Sequence, residues 1–231
     1  MNFSELIPGT FVQRDNRFRA TVQVEGRETW AFVPNSGRLT DLFIPGRPVW
    51  LQPAGSSGRK TAYDLKLVEH GEVLVSVDAR LPNPLLEEYW HGVNAELFED
   101  LGEIQVQREV RLGESRLDFQ IQGKKGIGWV EAKSVTLVEE GIARFPDAPT
   151  DRGRRHLNAL MDAVREGDRS AVVFVVQRPD AETFSPHYDV DPRFAESLVQ
   201  AAEQGIEVRA YTCQVSLSEI HINRDIPCVL E

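Results

Sequence analysis

The 231-residue sequence predicts two domains of different class: a small all-β barrel over residues 1–80 and a mixed-sheet α/β domain over residues 81–231. Three observations predict this. Short, roughly alternating apolar runs separated by turn residues fill the first third of the chain. After Arg80 the apolar spacing changes to a helical period. An unbroken apolar run, Ala171 to Val176, then stands between two amphipathic segments.

In the first region, TFVQRD, FRATVQVEG, ETWAFVP, PVWLQP, YDLKLVEHG and EVLVSVD are rich in the β-branched and aromatic residues that fit a pleated surface. The breaks NSG, PG and GSSG are turn formers. Strands of this length with no helical period between them fit a small closed barrel, of OB-fold or SH3-like type.

The second region opens on RLPNPLLEEYWHGVNAELFEDLG, where Leu86, Trp90, Val93 and Leu97 fall at helical spacing. Asn83 can cap this helix, Pro84 suits its first position, and Gly92 weakens its middle. Strands are expected in IQVQREVRL, SRLDFQI and GWVEAKSVTLV. A helix follows near TDRGRRHLNALMDAVREG, capped by Thr150 or Asp151, with Leu157, Leu160, Met161 and Val164 inward. The run AVVFVV reads as a strand covered on both faces. PRFAESLVQAAEQG is helical and IEVRAYTCQV a last strand, which together give a mixed sheet flanked by helices on both sides.

The net charge of −10 argues against a generally sticky polyanion binder. Its distribution is uneven: residues 1–80 carry ten basic against nine acidic side chains, and the acidic excess lies wholly in the remainder. No apolar run reaches the roughly 20 residues of a membrane span. The N-terminus shows no secretory pattern, and Cys213 and Cys228 form no C-x-x-C pair. A cytoplasmic protein with free thiols and no membrane partner is expected. The sequence sets no oligomeric state. His70, His91, His187 and His221 lack ligand spacing, and no zinc pattern, phosphate-cradling loop or nucleophile elbow is present.

The chemistry-bearing stretch is SRLDFQIQGKKGIGWVEAK, residues 115 to 133. Glu131 and Lys133 are two apart on a strand and share a face. The Gly/Lys turn folds the preceding strand back, which can bring Asp118 beside Glu131. Two close carboxylates repel unless a cation sits between them or one is protonated. A hard ion such as Mg²⁺ needs only a few protein oxygens, and Lys133 can orient water or stabilise developing charge. The spacing alone describes a cross-strand ion-pair ladder equally well.

Longer motifs add to this. SRLDF, VEAKSVTL and FPDAPTDRGRRHL, together with VPNSGRL and PNPLLEE, resemble the sugar fermentation stimulation protein A family over about residues 10 to 230. The resemblance implies an N-terminal OB-fold, a C-terminal domain of the PD-(D/E)XK nuclease superfamily and DNA as partner. It also implies a nuclease-type site that hydrolyses phosphodiester bonds with Mg²⁺ or Mn²⁺, and a link to regulation of sugar (maltose) metabolism. Asp118 would be the metal aspartate, Glu131 and Lys133 the E-x-K, and Glu88 a further carboxylate from the first helix. The alternative is a non-catalytic DNA-binding transcriptional regulator that keeps the nuclease fold. A sugar-sensing module rests on the family's name alone.

Six residues are expected to contact nucleic acid. Arg17 and Arg19 flank Phe18 in RFRA and, with Arg14, form a basic strip on the barrel. Arg38 follows the VPNSG turn. Arg116 is placed to hold Asp118 or touch the scissile phosphate. Arg152 and His156, four apart at a helix start, share a face that can receive phosphate. Trp30, Trp50, Trp90 and Trp129 are assigned mostly to the core.

Overall fold

The computed structural model describes residues 1–55, 58–92 and 97–230. The first domain is built from β1 (Ile7–Asn16), β2 (Arg19–Val24), β3 (Arg27–Phe32), β4 (Pro48–Pro53) and β5 (Tyr63–His70), with β6 (Val73–Ser76) added on β5. Antiparallel pairing runs in the order β3-β2-β1-β4-β5, and a parallel contact of β3 with β5 at Ala31↔Tyr63 and Phe32↔Asp64 closes the barrel. This closure is the OB-fold connectivity, which the strand pattern left open against an SH3-like barrel. Its core is the inward set of each alternation, including Phe11, Val22, Ala31, Leu51 and Leu65.

The second domain begins with α1 (Pro82–Gly92), followed by β7 (Ile104–Leu112), β8 (Ser115–Gly123) and β9 (Gly126–Val135). β10 (Leu137–Glu139), β11 (Ile142–Phe145), α2 (Asp151–Arg165), β12 (Arg169–Val176) and β13 (Thr183–Pro186) come next. α3 (Pro192–Glu203), β14 (Glu207–Val215) and β15 (Ile220–Ile226) end the chain. The main sheet has the order β15-β14-β12-β9-β8-β7, parallel across β9-β12-β14 and antiparallel elsewhere. Ala171, Val173 and Val175 of β12 pack on the side of α1, whereas Val172, Phe174 and Val176 pack against α2 and α3. That two-sided burial is what the apolar run requires.

Several local expectations change. α1 starts at Pro82, so Asn83 lies inside the first turn instead of capping it, and the helix stops at Gly92. Val93 lies outside the described residues, and Leu97 is buried in a turn beyond the helix. The segment GWVEAKSVTLV is two strands, β9 and β10, and β10-β11-β13 form a small separate sheet. β10, β11 and β13 have three or four residues each, too few to show a period, and β15 alternates with charged residues at an exposed edge. No helix among the described residues is long and apolar enough to cross a membrane.

Polar groups lock the two domains together. The buried Asp78 carboxylate accepts from Lys66 Nζ at 2.8 Å and from Arg80 Nε and Nη2 at 2.8 and 2.7 Å. Gln177 of the second domain accepts from Ser76 Oγ at 2.9 Å and donates to the Asp78 carbonyl and Ser134 Oγ. VPNSGRL is no hairpin turn, since β3 and β4 do not pair. It is a loop in which the Arg38 N–H donates to Asp147 Oδ2 of FPDAPT at 2.7 Å. A Cβ at Gly37 would stand 2.4 Å from Asp147 Oδ2, so a side chain there would displace that carboxylate from the Arg38 N–H. Arg14, expected on the basic strip, instead folds onto this loop and donates to the carbonyls of Arg17, Asn35, Gly37 and Arg38.

Candidate functional site

The site begins where a strand loses its partners. β8 pairs with β9 only as far as Phe119↔Val130, and its ladder with β7 skips the Glu109↔Asp118 position. Glu109 there has φ of 56°, a left-handed conformation that costs a β-strand residue on the order of 1 kcal/mol. Leu117 and Phe119, two apart and so expected on one face, pack into the cores on opposite sides of the sheet. Asp118 sits at this break. Its Oδ2 accepts the Ala132 N–H at 2.8 Å, in place of a ladder bond, and its Oδ1 accepts from Asn83 Nδ2 at 2.7 Å.

Across the gap, Glu131 is 4% exposed. Its Oε1 is bonded by both Lys133 Nζ and His156 Nδ1. Arg152 Nε donates to His156 Nε2 at 3.3 Å, so that nitrogen carries no proton and Nδ1–H donates to Glu131. Burial would push the Glu131 carboxyl up, but Lys133 and His156 outweigh it and hold it below the usual range. Asp118 goes the other way. Burial, then the Glu131 charge, push its carboxyl above the usual range against the bonds from Asn83 and Ala132.

One atom in this group is unpaired. Glu131 Oε2 is buried and has no hydrogen-bond partner. A desolvated carboxylate oxygen without a donor is costly, and a cation removes the cost. Asp118 and Glu131 offer hard oxygens, and each Asp118 oxygen keeps a second lone pair beyond its hydrogen bond. Among the described residues no third His, Cys, Asp or Glu joins them in a metal-holding group. That donor set suits a hard divalent cation that keeps its own waters and does not suit zinc.

The other expected residues are dispersed. Glu88 stands 56% exposed and pairs with the chain's amino group at 2.9 Å. It is five positions beyond Asn83, about 140° around the helix, so α1 turns Asn83 and not Glu88 toward Asp118. Arg116 bonds Glu109 across the β7–β8 ladder and does not hold Asp118. His156 is buried and orients Glu131, while Arg152 is exposed beside it. Arg17 is exposed in the β1–β2 turn, Arg38 is exposed after Gly37, and Arg19 lies over the Trp30 ring at 4.4 Å. Asn83 and the Glu131-directed role of His156 were missed. The i to i+4 spacing of Arg152 and His156 was visible in sequence, but nothing there showed that Glu131 faces that helix.

Removing His156 leaves Glu131 with Lys133 alone. His156→Ala is expected to lower stability by about 1–3 kcal/mol. His156→Asn, whose amide nitrogen falls near the Nδ1 position, should lose less. Chemical denaturation of the three proteins checks the order.

An OB barrel fused to a mixed-sheet α/β domain, with Asp, Glu and Lys gathered where the central hairpin parts, is the class of protein that the fold and the site define. A family model described as the SfsA N-terminal OB domain matches residues 12–77, and one described as the sugar fermentation stimulation protein RE domain matches residues 80–219. The chain belongs to the sugar fermentation stimulation protein family. It is 46% identical over 226 residues to a sugar fermentation stimulation protein homolog of Desulforamulus reducens, covering 98% of this chain and 93% of the relative. The homolog of Alkaliphilus metalliredigens is 45% identical over 226 residues, with 96% of each chain covered. The solved structure of Pyrococcus furiosus SfsA in complex with Ca²⁺ superposes with a TM-score of 0.89 at 36% identity, covering 99% of this chain and 98% of that one.

Proposed function

We propose that this chain binds nucleic acid, DNA foremost, and hydrolyses its phosphodiester bonds at Asp118, Glu131 and Lys133 with Mg²⁺ or Mn²⁺. The observation that carries the reading is the buried, partnerless Glu131 Oε2 beside a second desolvated carboxylate. The Ca²⁺ held by the Pyrococcus relative supports a divalent cation in this family. When bound, the cation would polarise a phosphoryl oxygen and lower the pKa of a coordinated water. Asp118 and Glu131 would hold it. Asn83 and the Ala132 N–H fix the Asp118 rotamer, and His156 fixes that of Glu131. Lys133 projects its ammonium against Glu131, where it is placed to steady an attacking water or negative charge building on phosphate. Arg152, Arg38 and Arg17 would contribute phosphate contacts, which position the backbone without reading bases.

The test is incubation of the protein with single-stranded and duplex substrates, in EDTA and with Mg²⁺ or Mn²⁺. Metal-dependent cutting that Lys133→Ala reduces by roughly 10²-fold or more supports the enzyme. Tight binding with no cutting under any metal would leave the non-catalytic regulator. The proposed cellular setting is the one carried by the relatives' names, sugar fermentation, in the cytoplasm. Free Cys213 and Cys228, with thiols pushed up to about 12 by burial, are compatible with a reducing compartment.

A further inference from the structure

Phe18 and Trp30 are the most exposed aromatic side chains among the described residues, at 47% and 45%. They lie on one patch. Trp30 and Phe32 are two apart on β3 and share its outward face, while Ala31 between them is fully buried in the barrel. Phe18 stacks on Phe32 with ring centroids 6.3 Å apart. Three guanidinium groups lie over these rings: Arg19 on Trp30 at 4.4 Å, and Arg59 and Arg80 on Phe32 at 5.6 and 5.8 Å. Asp15 holds Arg19 in place, and Asp64 holds Arg59 and Arg80. A shallow groove of about 500 Å³ continues along Trp30, Arg59 and Lys60.

We propose that this face of the barrel is a stacking platform for the unpaired bases of a single-stranded polynucleotide, with Trp30 and Phe18 as the stacking rings and Arg19, Arg59, Lys60 and Arg80 facing its phosphates. Exposed rings among oriented cations match that ligand in both of its parts, a π-face on every base and a charge on every linkage. A duplex hides its base faces and has no use for the rings. The platform also leads somewhere. Arg80, at its edge, is three residues before Asn83, so their Cα atoms are at most about 11 Å apart. Asn83 bonds Asp118. The Arg80 edge of the platform therefore lies near the candidate metal site. The proposal deepens the nucleic-acid reading above and rests on it for the identity of the second site.

The test measures fluorescence anisotropy of a labelled oligothymidylate of about 12 nucleotides and of a labelled blunt hairpin duplex, in EDTA so that nothing is cut. Wild type is expected to prefer the oligothymidylate. Trp30→Ala should weaken that binding roughly 5- to 100-fold and leave the duplex within about 2-fold, and Trp30→Phe should recover most of the loss. Lys60→Ala should lower the salt dependence of binding by about one phosphate contact. Unchanged oligothymidylate affinity in Trp30→Ala, or an equal loss on both probes, overturns the platform. The two readings fail separately. Trp30-dependent binding by a protein that never cuts sinks only the hydrolase, whereas cutting by a protein indifferent to Trp30 sinks only the platform.

Discussion

Replacing Asp118 by asparagine is expected to abolish metal-dependent cutting, by on the order of a thousandfold or more, while leaving the protein as stable as before or more so. The activity loss follows from removing one of the two carboxylates that would hold the cation, whose electrostatic contribution is several kcal/mol. The stability outcome follows from what Asp118 costs the folded state. It is buried beside the Glu131 charge, and both effects disfavour its ionised form. The asparagine can keep the local bonds: its Oδ1 accepts the Ala132 N–H, and its amide nitrogen faces Asn83, whose own amide can turn to present oxygen. Repulsion with Glu131 disappears. A purely structural Asp118 would give the opposite pair of results, unchanged cutting with a loss of stability. Parallel activity and thermal-unfolding measurements on the one variant therefore decide between the roles. A gain in stability at the expense of activity is the pattern of a functional site whose strain the rest of the fold carries.

How much of this was readable in the chain depends on the residue. The barrel strands and the doubly covered strand β12 were legible because their side chains follow the period of the element they form. Asp118, Glu131 and Lys133 stood out because three chemistry-bearing side chains closed two apolar runs. What made them a site was not in the pattern. Leu117, Phe119 and Ile121 alternate as in any regular strand, yet Leu117 and Phe119 face opposite cores, because β8 loses both neighbours at Asp118. A break in pairing leaves no mark on spacing when both flanking residues are apolar. Glu88 entered as the further carboxylate that the resemblance implies and Asn83 only as a helix cap, and helix rotation turns Asn83 instead toward Asp118. Trp30 was assigned with the other tryptophans to the core, although β3 sends it outward. Alternation fixed that Trp30 and Ala31 oppose each other, but both are apolar, so sequence could not say which was inside.

The largest expected effect on folding lies away from the site, at Asp78. This carboxylate is 1% exposed and holds Lys66, itself 11% exposed at its side chain, together with Arg80. Burial pushes the Asp78 carboxyl up, but the bonds from Arg80 and Lys66 outweigh that, and it lies below the usual range. A carboxyl depressed in the folded state contributes stability that is complete above its unfolded value of 3.8 and is lost as pH falls through the lower folded value. Wild type should therefore lose this contribution only in acid, below about pH 4. Asp78→Asn removes it at every pH and leaves the Lys66 ammonium buried without its counter-charge, a loss of about 3–5 kcal/mol. For a chain of this size that is a fall in Tm of roughly 6–20 °C. Adding Lys66→Met tests the cause. If the damage is the unpaired charge, the double variant recovers much of the loss. If the damage is instead the junction itself, where Gln177 binds the Asp78 carbonyl, the two substitutions simply add.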